Sequence, residues 1–268
     1  MTLDHCLVAH PSLDEMVAEG RFGDAAEVTL RVGAATGERL ALVAPTADRV
    51  SLPPDVLVVG ADELAAGRRA WIHDEVAGRR WRISAGSFFQ SRPDGAAALV
   101  ETVRAAAGDA LAAPAGCTPR TLVDAYGGVG LFAGALLAGR EGWRAFLVEE
   151  SRSSAADARV NLADLDTKIV TTRVERLRAP HADLVVADPA RDGLGARAAR
   201  VFASIAAPRL VLVSCDPAAA GRDVKLLGSL GYHPVESVLV DLFPHTHHTE
   251  VVTRLDRTDA TDGADPRS

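Results

Sequence analysis

A chain of 268 residues, 48% hydrophobic and 24% charged, is long enough to bury one large core, or a large and a small one. Its formal net charge of −7 argues against a broad basic surface of the kind that grips nucleic acid, so any contact with RNA is local or other parts supply the affinity. No apolar run approaches the roughly 18 residues that a membrane helix needs, no signal peptide is legible at the start, and three cysteines, an odd number, fit a reducing cytoplasm rather than a disulfide scaffold.

Residues 1–90 read as a small β-rich subdomain. Glu27-Val28-Thr29-Leu30-Arg31-Val32 alternates as a strand does, 39–43 is its partner, and Gly37-Glu38 sits in the turn between them. Further strands are predicted at 56–59 and 80–84. From about Asp94 the pattern changes, and residues 91–257 form a second domain. A long Ala-rich helix at 95–111 opens it. Strands then follow at 121–126, 145–149, 168–173, 183–188 and 210–215, with helices at 131–137, 153–162, 196–206 and 218–230. This alternation predicts an α/β fold with a mostly parallel, doubly wound sheet. Two last β runs, 235–241 and 249–255, are joined by only 242–248. A parallel crossover needs about a dozen residues or more, so the last strand returns antiparallel. The tail 258–268 is polar and expected to be disordered.

Open parallel sheets hold ligands at the carboxyl ends of their strands. Four such ends carry chemistry here. Asp124-Ala125-Tyr126-Gly127-Gly128-Val129-Gly130 leaves the first core strand and opens a helix, and its glycines let backbone approach a ligand closely. The spacing departs from the dinucleotide fingerprint and suits the looser acidic-x-x-Gly-x-Gly loop; a plain structural turn is the alternative. Glu149 ends the next strand, where an acid accepts hydrogen bonds from ribose hydroxyls; Glu150 is the neighbouring alternative. Asp188-Pro189-Ala190-Arg191 ends the fourth strand. An amino-group methyltransferase carries a proline pair and an aromatic here, so Ala190 and Arg191 argue against that chemistry.

Val211-Leu212-Val213-Ser214-Cys215-Asp216-Pro217 ends the fifth strand on a cysteine. Burial as a small hydrophobe is one reading of Cys215. The antiparallel return gives another. It starts the last strand on the ligand edge at His248-Thr249-Glu250, so Glu250 faces the region of Cys215. A thiol nucleophile and a carboxylate base on one pocket form a reaction constellation. His245, His247 and His248 share one short loop, a poor geometry for a metal, and no metal site is expected.

Together these residues resemble the RNA uridine-5-methyltransferase family, which forms 5-methyluridine in transfer and ribosomal RNA. The resemblance covers roughly residues 80–255. It rests on Phe88-Phe89-Gln90, the loop 124–130, Asp188-Pro189-Ala190-Arg191, Ser214-Cys215-Asp216-Pro217, and the segment from Asp241-Leu242-Phe243-Pro244 through His245-Thr246-His247-His248 to Thr249-Glu250. It implies a Rossmann-like class I methyltransferase fold. It implies that Gln90, Tyr126, Gly127, Glu149 and Asp188 contact S-adenosylmethionine. Phe88 is then the aromatic near the target base, Cys215 the nucleophile and Glu250 the proton-abstracting base. The implied partner is ribosomal or transfer RNA, met by a cytoplasmic monomer without a membrane.

The chain also departs from the family. Leu131 stands where several relatives have a cofactor-binding asparagine, and Ala219 where threonine or serine is common. The family's N-terminal RNA-binding barrel and cysteine triplet are not legible. His5-Cys6-Leu7-Val8 resembles the segment of the fourth cluster cysteine, and one cysteine cannot hold a cluster, so no iron–sulfur cluster is expected. A shortened member or an internal start would account for this. Two other functions stay open: a non-catalytic S-adenosylmethionine-binding remnant, and a small-molecule methyltransferase.

Overall fold

The computed structural model describes residues 6, 8–112, 118–178, 180–242, 246 and 249–258, in two compact units, Met1–Phe89 and Gln90–Ser268. In the first unit, α1 (Pro11–Glu19) precedes β1 (Glu27–Val32), β2 (Arg39–Ala44) and β3 (Val56–Gly60). These strands form one sheet in that order, β1 antiparallel to β2 and β2 parallel to β3. A short helix, α2 (Ala61–Ala65), leads to a hairpin of β4 (Trp71–Val76) and β5 (Arg79–Ser84). Ala77 and Gly78 both take positive φ, 52° and 74°, the two-residue turn whose twist matches its strands. Trp81 is fully buried, and its indole N–H donates to the Val76 carbonyl at 3.0 Å.

The sequence pattern predicts β1, β2, β3 and β5 but neither α1 nor β4. In β4 the inward positions are Ile72, Asp74 and Val76, so an acid interrupts the apolar alternation. The buried Asp74 carboxylate accepts from the N–H groups of Ala35 and Glu75, at 3.0 and 2.9 Å, which offsets its desolvation.

The second unit begins with α3 (Pro93–Ala107) and a 3₁₀ turn, Gly108–Leu111. The alternation follows: β6 (Arg120–Ala125), α4 (Leu131–Leu137), β7 (Trp143–Glu149), α5 (Arg152–Asn161), β8 (Thr167–Thr171), β9 (Leu184–Ala187), α6 (Gly195–Ile205), β10 (Arg209–Ser214) and α7 (Pro217–Gly228). The last two strands are β11 (Tyr232–Val240) and β12 (Glu250–Arg257). The sheet order is β11-β12-β10-β9-β6-β7-β8. Strands β8, β7, β6, β9 and β10 run parallel, and β12 runs antiparallel to both β10 and β11. The doubly wound sheet with an antiparallel last strand is therefore the fold.

Strands β9 and β10 are buried at every residue, which is why they read as unbroken apolar runs. One sheet face packs Val185, Leu210 and Leu212 with Phe202 of α6 and Leu227 of α7. Truncating a buried Phe such as Phe202 to Ala costs about 3–5 kcal/mol. At the opposite strand ends, the nearly buried Arg209 guanidinium ties three elements together. It donates to both Asp256 carboxylate oxygens at 2.8 and 3.0 Å, to Asp109 at 2.5 Å and to the Ala107 carbonyl at 2.7 Å. Strand β11 forms one edge, exposed from His233 to Leu239. Among the described residues, no helix is long and apolar enough to cross a membrane.

Tyr126, Asp188 and Cys215 are predicted as final strand residues, and each stands one residue beyond its strand. Tyr126 leaves because its φ is +60°, outside the extended region. Cys215 leaves because Asp216 is already a helix cap, its carboxylate accepting from the Ala219 N–H at 2.6 Å with Pro217 at the first helical position. Cys117, Phe243, Pro244, His245, His247, His248 and the tail from 259 onward lie outside the described residues.

Candidate active site

The carboxyl edge of the second unit's sheet is built from the exits of β6, β7, β9 and β10 and the start of the antiparallel β12. The β6 exit carries the glycine loop. Gly127 has no room for a side chain: a Cβ there would stand 2.6 Å from Leu147 Cγ and 3.2 Å from Asp124 Cγ. Gly128 and Gly130 take positive φ, 54° and 97°, so the loop curls into the start of α4 at little steric cost. Asp124, fully buried, anchors that helix by accepting from the Ala133 N–H at 2.9 Å. Its other oxygen, Oδ1, has no hydrogen-bond partner among the described residues. Burial pushes its carboxyl up to about 7, against the pull of the Ala133 bond and with a further push from Glu149.

Glu149, at the end of β7, crosses to this loop. Its Oε2 accepts from Gly128 N–H at 2.9 Å and its Oε1 from Ser151 N–H at 2.6 Å. Charge-assisted bonds of this kind are worth about 1.5–3 kcal/mol each, enough to fix the carboxylate before any ligand arrives. Glu150 instead faces Arg173, in an exposed pair at 2.9 Å. The strand registers, Ala125 beside Val148 and beside Ala187, put Glu149, Tyr126 and Asp188 in one row a single step further on. The Tyr126 hydroxyl is pushed up by burial, then by Glu175 and Asp223. The Asp188 carboxyl is pushed well above its ordinary range by burial, then by Glu250 and Asp124.

The β10–β12 ladder pairs Ser214 with Val251. Cys215 follows that last pair as the chain leaves β10 and Glu250 begins β12, so the two lie on one edge, near enough for the Glu250 carboxyl to act on the thiol. Glu250 is buried and Cys215 half-buried. Burial raises the Glu250 carboxyl. The Cys215 thiol is also raised, by burial first and by Glu250 second, with the positive charge of Arg191 working the other way.

The edge thus brings together Tyr126, Gly127, Glu149, Asp188, Cys215 and Glu250. Gln90, half-buried, opens the second unit. Phe88 belongs to the first unit and is 71% exposed, an unusual state for a phenyl ring. Among the described residues, no cluster of His, Cys, Asp and Glu has the arrangement to hold a metal ion. Cys6 is free and half-buried in the first unit.

These residues fit a ligand that is cationic and carries a ribose. Asp124, Asp188 and Glu250 are carboxyls that burial and mutual repulsion push toward the neutral form, a tendency a cationic ligand would reverse, and Asp124 Oδ1 has no hydrogen-bond partner among the described residues.

No family model matches the chain. It is 33% identical over 275 aligned residues to a protein of Streptomyces avermitilis named an uncharacterized RNA methyltransferase, covering 95% of this chain and 61% of that protein. A Streptomyces coelicolor protein with the same description is 32% identical, with 95% and 57% covered. The chain therefore spans about six-tenths of the length of these curated relatives. Among solved structures, the Pyrococcus abyssi tRNA (uracil-54, C5)-methyltransferase in complex with S-adenosyl-L-homocysteine gives a TM-score of 0.64 at 24% identity, covering 84% of this chain and 58% of that one. The M. jannaschii TYW2 in complex with AdoMet gives 0.53 at 11% identity, with 86% and 100% covered. At these identities the structural likeness establishes the fold.

Proposed function

From a chain homologous along 95% of its length to proteins named RNA methyltransferases, we infer that the strand-edge site transfers a methyl group from S-adenosylmethionine to C5 of a uridine in transfer or ribosomal RNA. The observation that supports this most is the cross-strand juxtaposition of a thiol, Cys215, and a buried carboxylate, Glu250, beside an acidic ribose-binding row. A small-molecule methyltransferase needs no such pair.

C5 of uracil is a poor nucleophile. The Cys215 thiolate attacks C6, forming an S–C6 bond and moving the C5=C6 electrons into an enolate. When bound, S-adenosylmethionine supplies an electrophilic methyl to C5, its sulfonium leaving as a neutral thioether. Glu250 then takes the C5 proton. The freed electrons restore C5=C6 and expel the Cys215 thiolate, and Glu250 passes its proton to solvent. Glu149 suits the ribose hydroxyls, with its carboxylate already held between Gly128 and Ser151. Asp124 and Asp188 offset the positive charge of the sulfonium and ammonium, and Gln90 and Tyr126 complete the proposed cofactor contacts. The uridine must leave its stack to present C6 and C5. The proposed setting is the cytoplasm, with the protein a monomer and RNA contact local, in keeping with the net charge of −7.

The test is incubation with tritiated S-adenosylmethionine and separated transfer and ribosomal RNA, followed by nucleoside analysis. Label is expected in 5-methyluridine and is expected to vanish in Cys215→Ala. Label in another nucleoside, or full activity of Cys215→Ala, refutes the reading. The same acidic balance favours a second reading, a cofactor-binding protein without catalysis. It predicts S-adenosylmethionine binding with no labelled RNA.

A further inference from the structure

We propose that the outward face of the β4–β5 hairpin is a docking surface for single-stranded RNA, with Trp71 as a stacking platform and the arginines around it as phosphate contacts. The proposal rests on the reading that the chain acts on RNA, and it says where in the first unit that RNA is held.

The hairpin is a two-stranded sheet of its own, paired with neither of the other two sheets among the described residues. Strand alternation sorts its side chains. Ile72, Asp74, Val76, Trp81 and Ile83 are buried. The other face is open, and the register sets Trp71 opposite Ser84, His73 opposite Arg82 and Glu75 opposite Arg80 on it. The two indoles of the hairpin therefore meet opposite fates. Trp81 is fully buried, whereas Trp71 is left 39% exposed and forfeits much of what burial of so large a ring contributes. Arg82, a diagonal cross-strand neighbour of Trp71, stands with its guanidinium 5.3 Å from the ring centroid. That cation fixes the ring and leaves the rest of its surface to a second flat partner.

Charge and shape select the partner together. On the open side Arg69, Arg79, Arg80 and Arg82 stand against Glu75 and Glu38. Glu38 comes from the turn before β2 and accepts from the His73 N–H at 2.8 Å and from Arg80 at 3.0 Å. Asp74 faces inward, its carboxylate satisfied by backbone N–H groups. The surplus is positive on a chain whose net charge is −7, so the surface is matched to a polyanion. An acidic peptide would answer the charge and leave the indole unused. A nucleobase stacks on tryptophan whatever its sequence, and the phosphates beside it meet the guanidinium groups. Bases paired inside a duplex cannot reach such a ring, so the strand is single.

The test is a fluorescence titration of the whole chain with an oligouridine of about twelve nucleotides, at a fixed salt concentration of about 0.1 M. Stacking on Trp71 is expected to quench the tryptophan emission, and Trp71→Phe to abolish the quenching. Binding itself is followed by the anisotropy of a labelled oligomer. Trp71→Ala is expected to weaken it about tenfold, and Arg82→Gln to lower the salt slope by about one. Trp71→Phe keeps the apolar contacts of the ring and carries the test should Trp71→Ala not fold. Quenching that survives Trp71→Phe, parental affinity in Trp71→Ala, or equal quenching by an oligoadenine–oligouridine duplex or by polyglutamate overturns the proposal. A parent that binds the oligomer through Trp71 and methylates no RNA would sink the methyltransferase reading and leave this surface standing. Methylation of RNA at the parental rate and affinity in Trp71→Ala would do the reverse.

Discussion

Replacing Glu250 by Gln keeps the size and hydrogen-bonding shape of the side chain and removes its charge. The spacing of facing cross-strand side chains, about 5 Å, sets the scale for the separation of that charge from the Cys215 sulfur. At an effective dielectric of about 40, chosen because Cys215 is half-exposed, two unit charges at that distance interact by about 1.7 kcal/mol, or roughly one pKa unit. Glu250→Gln is therefore expected to make Cys215 about tenfold more reactive toward iodoacetamide. The sign has a pH signature. Burial raises the Glu250 carboxyl, so in the parent its charge, and its hold on the thiol, vanish as pH falls through that raised value. Parent and variant converge on the acid side, separate at the pH values between the two ionisations, and meet again on the alkaline plateau, where both thiols are fully ionised. Turnover moves the other way: losing the C5 base lowers product formation by about 10²–10⁴-fold, and denaturing gels should show RNA covalently retained on the variant. A faster thiol with a slower enzyme is hard to obtain from misfolding. An alkylation profile identical to the parent's at every pH, or 5-methyluridine formed at the parent's rate, would refute the assigned adjacency and role.

Arg209→Met removes the guanidinium that joins β10 to Asp256, Asp109 and the end of α3, and is expected to cost about 3 kcal/mol in urea denaturation. Asp256 adds an acid limb. Hydrogen bonds and charge from Arg254 and Arg209 outweigh burial and hold its carboxyl down at about 2, so its share of the stability is present above the ordinary value of 3.8 and is lost as pH falls toward 2. The acid-unfolding midpoint should rise in Arg209→Met; an unchanged midpoint would contradict the account. Gly127→Ala places a Cβ against Leu147 and Asp124 and is expected to lower stability by about 1–3 kcal/mol and to weaken S-adenosylmethionine binding in calorimetry, with wild-type affinity as the contrary result.

Much of the second unit is legible in the amino-acid order because its rules are local. Leu210 to Val213 is apolar on both sheet faces and stops at a helix cap, so the strand and its exit announce themselves. The antiparallel return follows from the shortness of 242–248, and it brings Cys215 and Glu250 together across 35 positions. What was hidden depends on partners distant in sequence. Asp74 looks like a surface acid until Ala35 and Glu75 satisfy it inside the hairpin. The free oxygen of Asp124 is visible only once Ala133 has claimed the other.

The interleaved position of β12 has a consequence for synthesis. β12 is made after both of its neighbours, β10 and β11, and must slot between them. A nascent chain that has emerged as far as β11 holds the thiol of Cys215 and lacks Glu250, the proposed base. Long-range strand pairing of this kind is slow to form. In that interval a uridine that reached the sulfur would find no base to finish the exchange. Competence therefore arrives late and all at once, when the final strand closes the sheet.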